Sequence, residues 1–355
     1  MGRLAQRFGL SLKRPIPGFI KKNGPFISVF LLAIIIWLEE STGIKESPRD
    51  TALLILSIMG GATLMAVLYP KQAWCRYLCP MGRLLGVGAT LSIMEFRPDF
   101  EKCRTCKTFA CKRGIGGKGG CPVFLGAFNV KNNLDCLICG HCLSLCDKAS
   151  PKLNLRSPFK ELLLNKGRFV TCSFIIPFLM GSQLVRFLEA SNYSIVLKQD
   201  FSSLNTMVTY SGLLLIAFFY IFFIIKLGAK FFGQTEDELF GRFSPMVPIL
   251  IPMAFSGELA YRLDYAIAGA PEFFPTVGRQ FGLDTFESWT FYLPPWFLLV
   301  LNVFLISSAI MACCYLLYRF ASDEFEGLVP WWRSLLVAFL IFLTGATYIF
   351  FMANI

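Results

Sequence analysis

Residues 136–146 read Cys136-Leu-Ile-Cys139-Gly-His-Cys142-Leu-Ser-Leu-Cys146, and this stretch decides how the rest of the chain is read. Its spacing is C-x2-C-x2-C-x3-C. Three thiolates this close can each reach one iron of a four-iron cube, while a fourth comes from a distance. A zinc site of four cysteines is the alternative, since C-x2-C pairs also suit tetrahedral zinc. Zinc has no need of a third and fourth cysteine at these offsets, so iron–sulfur ligation is the preferred reading.

Upstream lies Cys103-x2-Cys106-x4-Cys111-x9-Cys121-Pro122. The Cys-Pro ending fits the bacterial ferredoxin pattern. The middle departs from it: Cys111 falls two residues late, and Arg113–Gly120 is a Gly- and Lys-rich insertion. Closure entropy grows slowly with loop length, so the insertion is tolerable. Cys111 is still the least secure ligand, with a spare thiol as the other reading. In two-cluster ferredoxins the fourth cysteine of each run serves the other cluster. The expectation is therefore crossed ligation: Cys103, Cys106, Cys111 and Cys146 hold one 4Fe–4S cluster, and Cys136, Cys139, Cys142 and Cys121 hold the other. Eight of the 13 cysteines lie in this segment, which points to metal ligation in a reducing compartment and not to disulfides. The single histidine, His141, and the lack of a C-x-x-C-H signature lead us to expect no haem in this chain.

Around these runs the composition changes sharply. Between Arg97 and Arg168 there are 14 Lys and Arg against five Asp and Glu. Elsewhere the chain is a series of apolar runs: Thr51–Tyr69, Phe169–Val185, Met207–Ile225, Met246–Ala268, Trp296–Tyr318 and Ser334–Met352. Pro25–Leu38 is short for a span, so either it extends through Gly43 or the bilayer thins around it; Met81–Met94, broken by Gly82, Gly86 and Gly88, reads as a re-entrant or interfacial helix. The whole is 55% hydrophobic and 15% aromatic over 355 residues, with a mean hydropathy of +0.58. The expected fold class is an all-α integral membrane protein of about seven transmembrane helices with a small cytoplasmic ferredoxin-like insert. Its parts are 1–96, an N-terminal membrane hairpin with a short interfacial helix; 97–168, the two-cluster insert; and 169–355, a membrane domain of about five helices. The basic start followed by Phe26–Leu38 lacks a small-residue cleavage site and reads as an uncleaved anchor. Basic loops stay in the cytoplasm, so the insert is expected there and the C-terminus outside. The net charge of +11 comes with no recognition motif for nucleic acid, and no nucleic-acid partner is expected.

Just before the insert stands Trp74-Cys75-Arg76-Tyr77-Leu78-Cys79-Pro80-Met81-Gly82, a C-x3-C-P motif. With it, Thr51 to Phe187 resembles the membrane-bound polyferredoxins of the NapH, NosR and MauN kind, which join transmembrane helices, C-x3-C-P motifs and a two-cluster insert. The resemblance implies electron transfer between the quinone pool, or a cytoplasmic donor, and a periplasmic oxidoreductase or cytochrome in a bacterial inner membrane. For Cys75 and Cys79 it suggests a redox or structural role beside the clusters; buried interfacial thiols are the alternative. That family usually carries a second such motif. Here Phe240-Gly-Arg-Phe-Ser244-Pro245-Met246 looks like a degenerate copy without the cysteines.

Further along, Glu258, Tyr261, Arg262 and Tyr265 stand at i, i+3, i+4 and i+7 and share one helical face. Ionisable groups at membrane depth face a partner or a cavity. A quinone headgroup site or proton path is one reading; a structural Glu258–Arg262 pair, or a docking contact for another subunit, is the preferred one. Cys172, Cys313 and Cys314 read as small packing residues. Arg104, Lys107, Lys112, Arg113 and Lys118 surround the first run and would attract an acidic donor, balance the anionic clusters, or both. The loop Gly269–Pro295, with Glu272, Arg279, Asp284 and Glu287, is the expected outer docking surface for a respiratory partner. The chain is expected to pass electrons and to catalyse no bond chemistry alone. Two other classes stay open: an assembly or metal-delivery factor, and a redox-sensing membrane protein.

Overall fold

The computed structural model describes residues 12, 14–44, 47–69, 72–164, 172–191, 203–231, 246–290, 292–324 and 330–354. The chain divides into two compact units, Met1–Ile175 and Ile176–Ile355. Among the described residues, five helices are long and apolar enough to cross a membrane, lying within Gly18–Ser41, Pro48–Leu68, Thr206–Lys230, Trp296–Ser322 and Trp331–Ala353.

In the first unit, helix α1 spans Gly18–Ser41 and α2 spans Pro48–Leu68. The apolar run at Pro25–Leu38 is thus not a short span: helix extends seven residues earlier, through Lys21 and Lys22, and 24 residues rise about 36 Å. Helix α2 has Pro48 at its first position and a Ser47 N-cap whose hydroxyl accepts the Asp50 N–H at 3.3 Å. None of its residues is buried among the described residues, so its apolar surface suits lipid or another protein. A π-helical turn, Trp74–Leu78, follows and is closed by the Cys79 N–H donating to the Trp74 carbonyl at 2.9 Å. It packs closely on α1: a Cβ at Gly24 would come within 2.8 Å of the Tyr77 carbonyl oxygen. Cys79 is extended, as a residue before proline must be, and Pro80 then opens α3, Pro80–Ala89.

The insert is small and mixed. Strand β1, Met94–Pro98, pairs antiparallel with β4, Pro151–Leu155, setting Phe96 opposite Leu153. Between them lie α4 (Phe100–Arg104), α5 (Ala110–Arg113), the ribbon of β2 (Gly114–Ile115) and β3 (Lys118–Gly119), and α6 (His141–Leu145). Helix α7, Lys160–Leu164, follows β4. The core of the insert is Phe96, Cys111, Ala127 and Val130, with Cys136 and Cys142 packed against it.

A buried ion network holds β1 and β4 to α7 and to the end of α3. The Glu161 side chain has no exposure and Arg156 only 1%. Glu161 accepts from Arg97 at 3.1 Å, from the Asn133 N–H at 2.7 Å and from Arg156. Arg156 also donates to the Ser92, Ala89 and Thr90 carbonyls, where a cation meets the unpaired carbonyls of a helix end.

The second unit contains α8 (Cys172–Ala190, entering it at Ile176), α9 (Ser203–Phe231), α10 (Met246–Phe281), α11 (Asp284–Glu287), α12 (Pro295–Glu324) and α13 (Trp331–Ala353). Here one expectation is corrected. Much of the segment Gly269–Pro295 is not a loop, because α10 continues through Pro271 and Pro275 to Phe281 and α11 follows. At 36 residues α10 is about 54 Å long, more than a hydrocarbon core requires. On this extension Arg279 and Glu272, both exposed, pair at 3.5 Å. The degenerate motif at Phe240–Pro245 lies outside the described residues.

Candidate iron–sulfur centre

The structure sorts the insert thiols into two groups of four. Burial raises the Cys111 thiol above its ordinary range, and the neighbours adding to this are Cys146, Cys103 and Cys106. Burial pushes Cys142 up to about 12, helped by Cys136, Cys139 and Cys121. Cys136 is raised by burial and by Cys139 and Cys121, while the Arg97 guanidinium opposes the shift. In contrast Cys106 is lowered, chiefly by a hydrogen bond with the Thr108 hydroxyl. Each group therefore takes three cysteines from one run and one from the other. Cys111, two residues late in sequence, stands on α5 just after the left-handed turn at Phe109, and the insertion that follows it leaves and returns as the β2–β3 ribbon, bringing Cys121 back beside it. The Cys121 N–H donates to the Cys111 carbonyl at 2.9 Å and closes the ribbon's base.

The backbone around the thiols is bent in a recurring way. Phe109, Phe124, Ile138 and Ala149 have φ of 48°, 57°, 48° and 45°. Left-handed conformations are uncommon for bulky residues and cost on the order of 1–2 kcal/mol each. Each stands two or three residues after a cysteine, at Cys106, Cys121, Cys136 and Cys146. Such turns aim successive N–H groups inward and make concavities for anions, iron–sulfur sites included. Backbone hydrogen bonds from Phe109, Ala127 and Ile138 accordingly reach Cys106, Cys111 and Cys136. The second group lines an apolar cavity with Phe96, Val123, Leu125 and Val130. Among the described residues no three His, Cys, Asp or Glu close tightly enough for a single metal ion. Thiols that gather in fours without converging on one point, under inward N–H groups, fit a cluster several atoms wide better than tetrahedral zinc.

Cys75 and Cys79 lie within electrostatic reach of each other on the π-turn. Cys79 Sγ accepts the Gly82 N–H at 3.3 Å and caps α3. Both thiols line a cavity of about 670 Å³ that Asp135, Cys136 and Leu137 also line. Lys21, Arg76 and Arg83 bring positive charge to it, and Arg83 pairs with Asp135 at 3.3 Å. Gly86 makes this approach possible: a Cβ there would lie 2.4 Å from the Leu134 carbonyl oxygen. The loop bearing Cys136 is thus seated directly on the helix that follows the C-x3-C-P motif.

In the second unit Glu258 meets Arg262 at 3.0 Å, the i, i+4 pair. It also meets Arg186 of α8 at 3.1 Å, a side chain with 1% exposure that stacks over Tyr261 at 4.7 Å. Tyr265 is 65% exposed and stands apart from this cluster. Cys313 is buried and Cys314 partly so, as packing residues would be. Cys172 opens α8, but its side chain lies outside the described residues. Sequence reasoning missed Arg186, Asn133, Arg156 and Glu161; they follow no motif, and only the fold brings them to their partners.

The class of the site agrees with comparison to known proteins. Residues 51–91, the segment that carries Cys75 and Cys79, match the family described as a 4Fe-4S binding domain. The uncharacterized protein MJ0749 of Methanocaldococcus jannaschii is 29% identical over 121 residues, covering 34% of this chain and 44% of that protein. YccM of Escherichia coli K12, named as a candidate electron transport protein, is 30% identical over 131 residues and 34% of each chain. The chain spans less than half the length of these curated relatives. No solved structure matches it. The chain is thus similar to membrane-associated 4Fe–4S proteins of the polyferredoxin kind.

Proposed function

We propose that the chain is a membrane-bound iron–sulfur electron-transfer subunit. The observation that carries this reading is the sorting of eight thiols into two crossed groups of four. Cys103, Cys106, Cys111 and Cys146 hold one 4Fe–4S cluster, and Cys136, Cys139, Cys142 and Cys121 hold the other. When bound, each cluster supplies a site that accepts and returns one electron. The protein's own part is to hold the two sites side by side, exclude water and set the charge around them. Inward N–H groups stabilise thiolates that burial alone would keep protonated. Arg97 adds positive charge near Cys136 and is itself fixed by Glu95, Glu161 and Asn133.

The electrons pass between the quinone pool, or a cytoplasmic donor, and a partner oxidoreductase or cytochrome of a respiratory complex. The name of the YccM relative supports the electron-transport part of this reading. The cavity between Cys75–Cys79 and the Cys136 loop supports exchange at the membrane side, since it joins apolar walls, cations and the second thiol group. The charge bias of the insert supports its place on the cytoplasmic face of a bacterial inner membrane, with the C-terminus in the periplasm. Anaerobic purification in mild detergent followed by an EPR-monitored redox titration tests the reading. Two cluster signals that grow in on reduction are expected. A chain that carries metal yet shows no redox-active signal would overturn it.

A further inference from the structure

The cations of the insert are shared unequally between the two thiol groups. Residues 99–121 and 146–148, around Cys103, Cys106, Cys111 and Cys146, hold seven Lys and Arg against three Asp and Glu. Residues 133–145, around Cys136, Cys139 and Cys142, hold no Lys or Arg and one Asp. The second group draws its cations from outside this stretch, Arg97 near Cys136 and Arg83 beside Asp135, and both are held in ion pairs. The cations left for another use stand with the first group.

Geometry separates the cations that are engaged from those that are available. Lys112 folds over the Phe124 ring at 4.6 Å. Lys102 pairs with Asp99 at 3.9 Å, and Lys148 donates to the Thr105 carbonyl at 2.8 Å. Arg104, Lys107, Arg113 and Lys118 are exposed and make no ion pair among the described residues. Each sits within three residues of a cysteine, on the elements that assemble the first group or on the ribbon that returns to Cys121. The β2–β3 ribbon holds Ile115, 57% exposed, beside a Gly116-Gly117 turn with φ of 56° and 76°. That turn is a tight hairpin geometry natural to glycine. An apolar point ringed by unpaired cations has the layout of a contact surface, an apolar centre with a polar rim. The two groups also differ in what they border: the second reaches the cavity of Cys75 and Cys79 through Cys136, whereas none of the first group's cysteines lines it.

We infer that the face formed by Arg104, Lys107, Arg113 and Lys118 around the Ile115 ribbon is the docking surface for a soluble, acidic electron-carrier protein. This rests on the electron-transfer reading. The second group is then turned to the membrane side and the first to the carrier. Complementary charge would speed and orient the encounter more than it would tighten it.

The test uses the cluster-loaded chain in neutral-lipid nanodiscs, an acidic flavodoxin as probe and a basic c-type cytochrome as control, with binding read by fluorescence anisotropy. Flavodoxin is expected to bind, and the cytochrome is not. Affinity should fall by roughly tenfold or more between ~50 and ~300 mM salt. The combined variant R104E, K107E, R113E and K118E should lose at least about tenfold at low salt, with its iron content unchanged. Equal binding of flavodoxin by variant and native chain, or no preference over the cytochrome, overturns the inference. So does capture of anionic phospholipid vesicles by the native chain alone with no flavodoxin binding, which would assign the face to a membrane surface. Iron and sulfide analysis of the same samples separates the two failures. A chain without clusters sinks the electron-transfer reading; a loaded chain that ignores flavodoxin sinks only this one.

Discussion

Replacing Glu161 with Gln tests what holds the cysteine-rich insert to the helix that follows the C-x3-C-P motif. The Glu161 carboxylate is fully buried and answers two guanidiniums, Arg97 at 3.1 Å and Arg156, together with the Asn133 N–H at 2.7 Å. Glutamine keeps the shape and one acceptor oxygen, so the Asn133 bond survives. What goes is the charge, leaving Glu95 as the carboxylate for both arginines, at 3.4 and 3.7 Å. Removing one partner of a buried pair costs about 3–5 kcal/mol. Arg156 keeps three backbone carbonyls, which places the cost near the lower end, about 3 kcal/mol. That corresponds to roughly a hundredfold rise in the opening equilibrium of the strand pair. Hydrogen exchange with mass spectrometry on the β1 and β4 peptides reads it directly, with peptides from α12 and α13 as the internal reference. Protection in β1 and β4 is expected to fall by about two decades while the reference stays put. A change of less than about threefold would refute the argument that this network anchors the insert.

Gly86→Ala gains helix propensity of up to ~1 kcal/mol but sets a methyl group 2.4 Å from the Leu134 carbonyl. The Cys136 loop is expected to shift and the iron content to fall; full iron at native stability would show that the contact yields freely. Cys75→Ser with Cys79→Ser should alter the EPR signal or stop electron transfer, because both thiols line one cavity with Cys136. Unchanged spectra and turnover would leave them a packing role only. Glu258→Gln is expected to destabilise by about 3 kcal/mol or more, since Arg186 at 1% exposure loses its carboxylate. Replacing Glu258 and Arg186 together with Met should restore thermal stability. If Glu258→Gln instead left folding intact and abolished quinol oxidation, the structural role assigned to the pair would be wrong.

The thiol pattern was legible in the sequence because ligand spacing is local, and the run from Cys136 to Cys146 needs few tertiary facts. Cys111 was the weak point: it follows a left-handed turn at Phe109 and opens onto a ribbon that returns to Cys121, and a spacing rule describes neither. The apolar runs also announced the long helices, but not their ends. Helix α1 begins well before the run at Pro25, and α10 passes through two prolines where the residues read as a loop. Prolines there remove hydrogen bonds without ending the helix, and no local signal separates that outcome from a stop. The face at Glu258 was legible by helical period, yet its buried partner Arg186 comes from 72 residues away. Asn133, Arg156 and Glu161 were invisible for the same reason: their meaning is entirely in who meets them.

Iron and acid-labile sulfide analysis of the anaerobically purified chain, beside its Cys121→Ser and Cys146→Ser variants, tests the central claim most directly. About eight irons and eight sulfides per native chain are expected. Cys121→Ser is expected to perturb the cluster of Cys136, Cys139 and Cys142, and Cys146→Ser that of Cys103, Cys106 and Cys111. Fewer than about six irons, or each variant disturbing only the cluster of its own run, would contradict the claim.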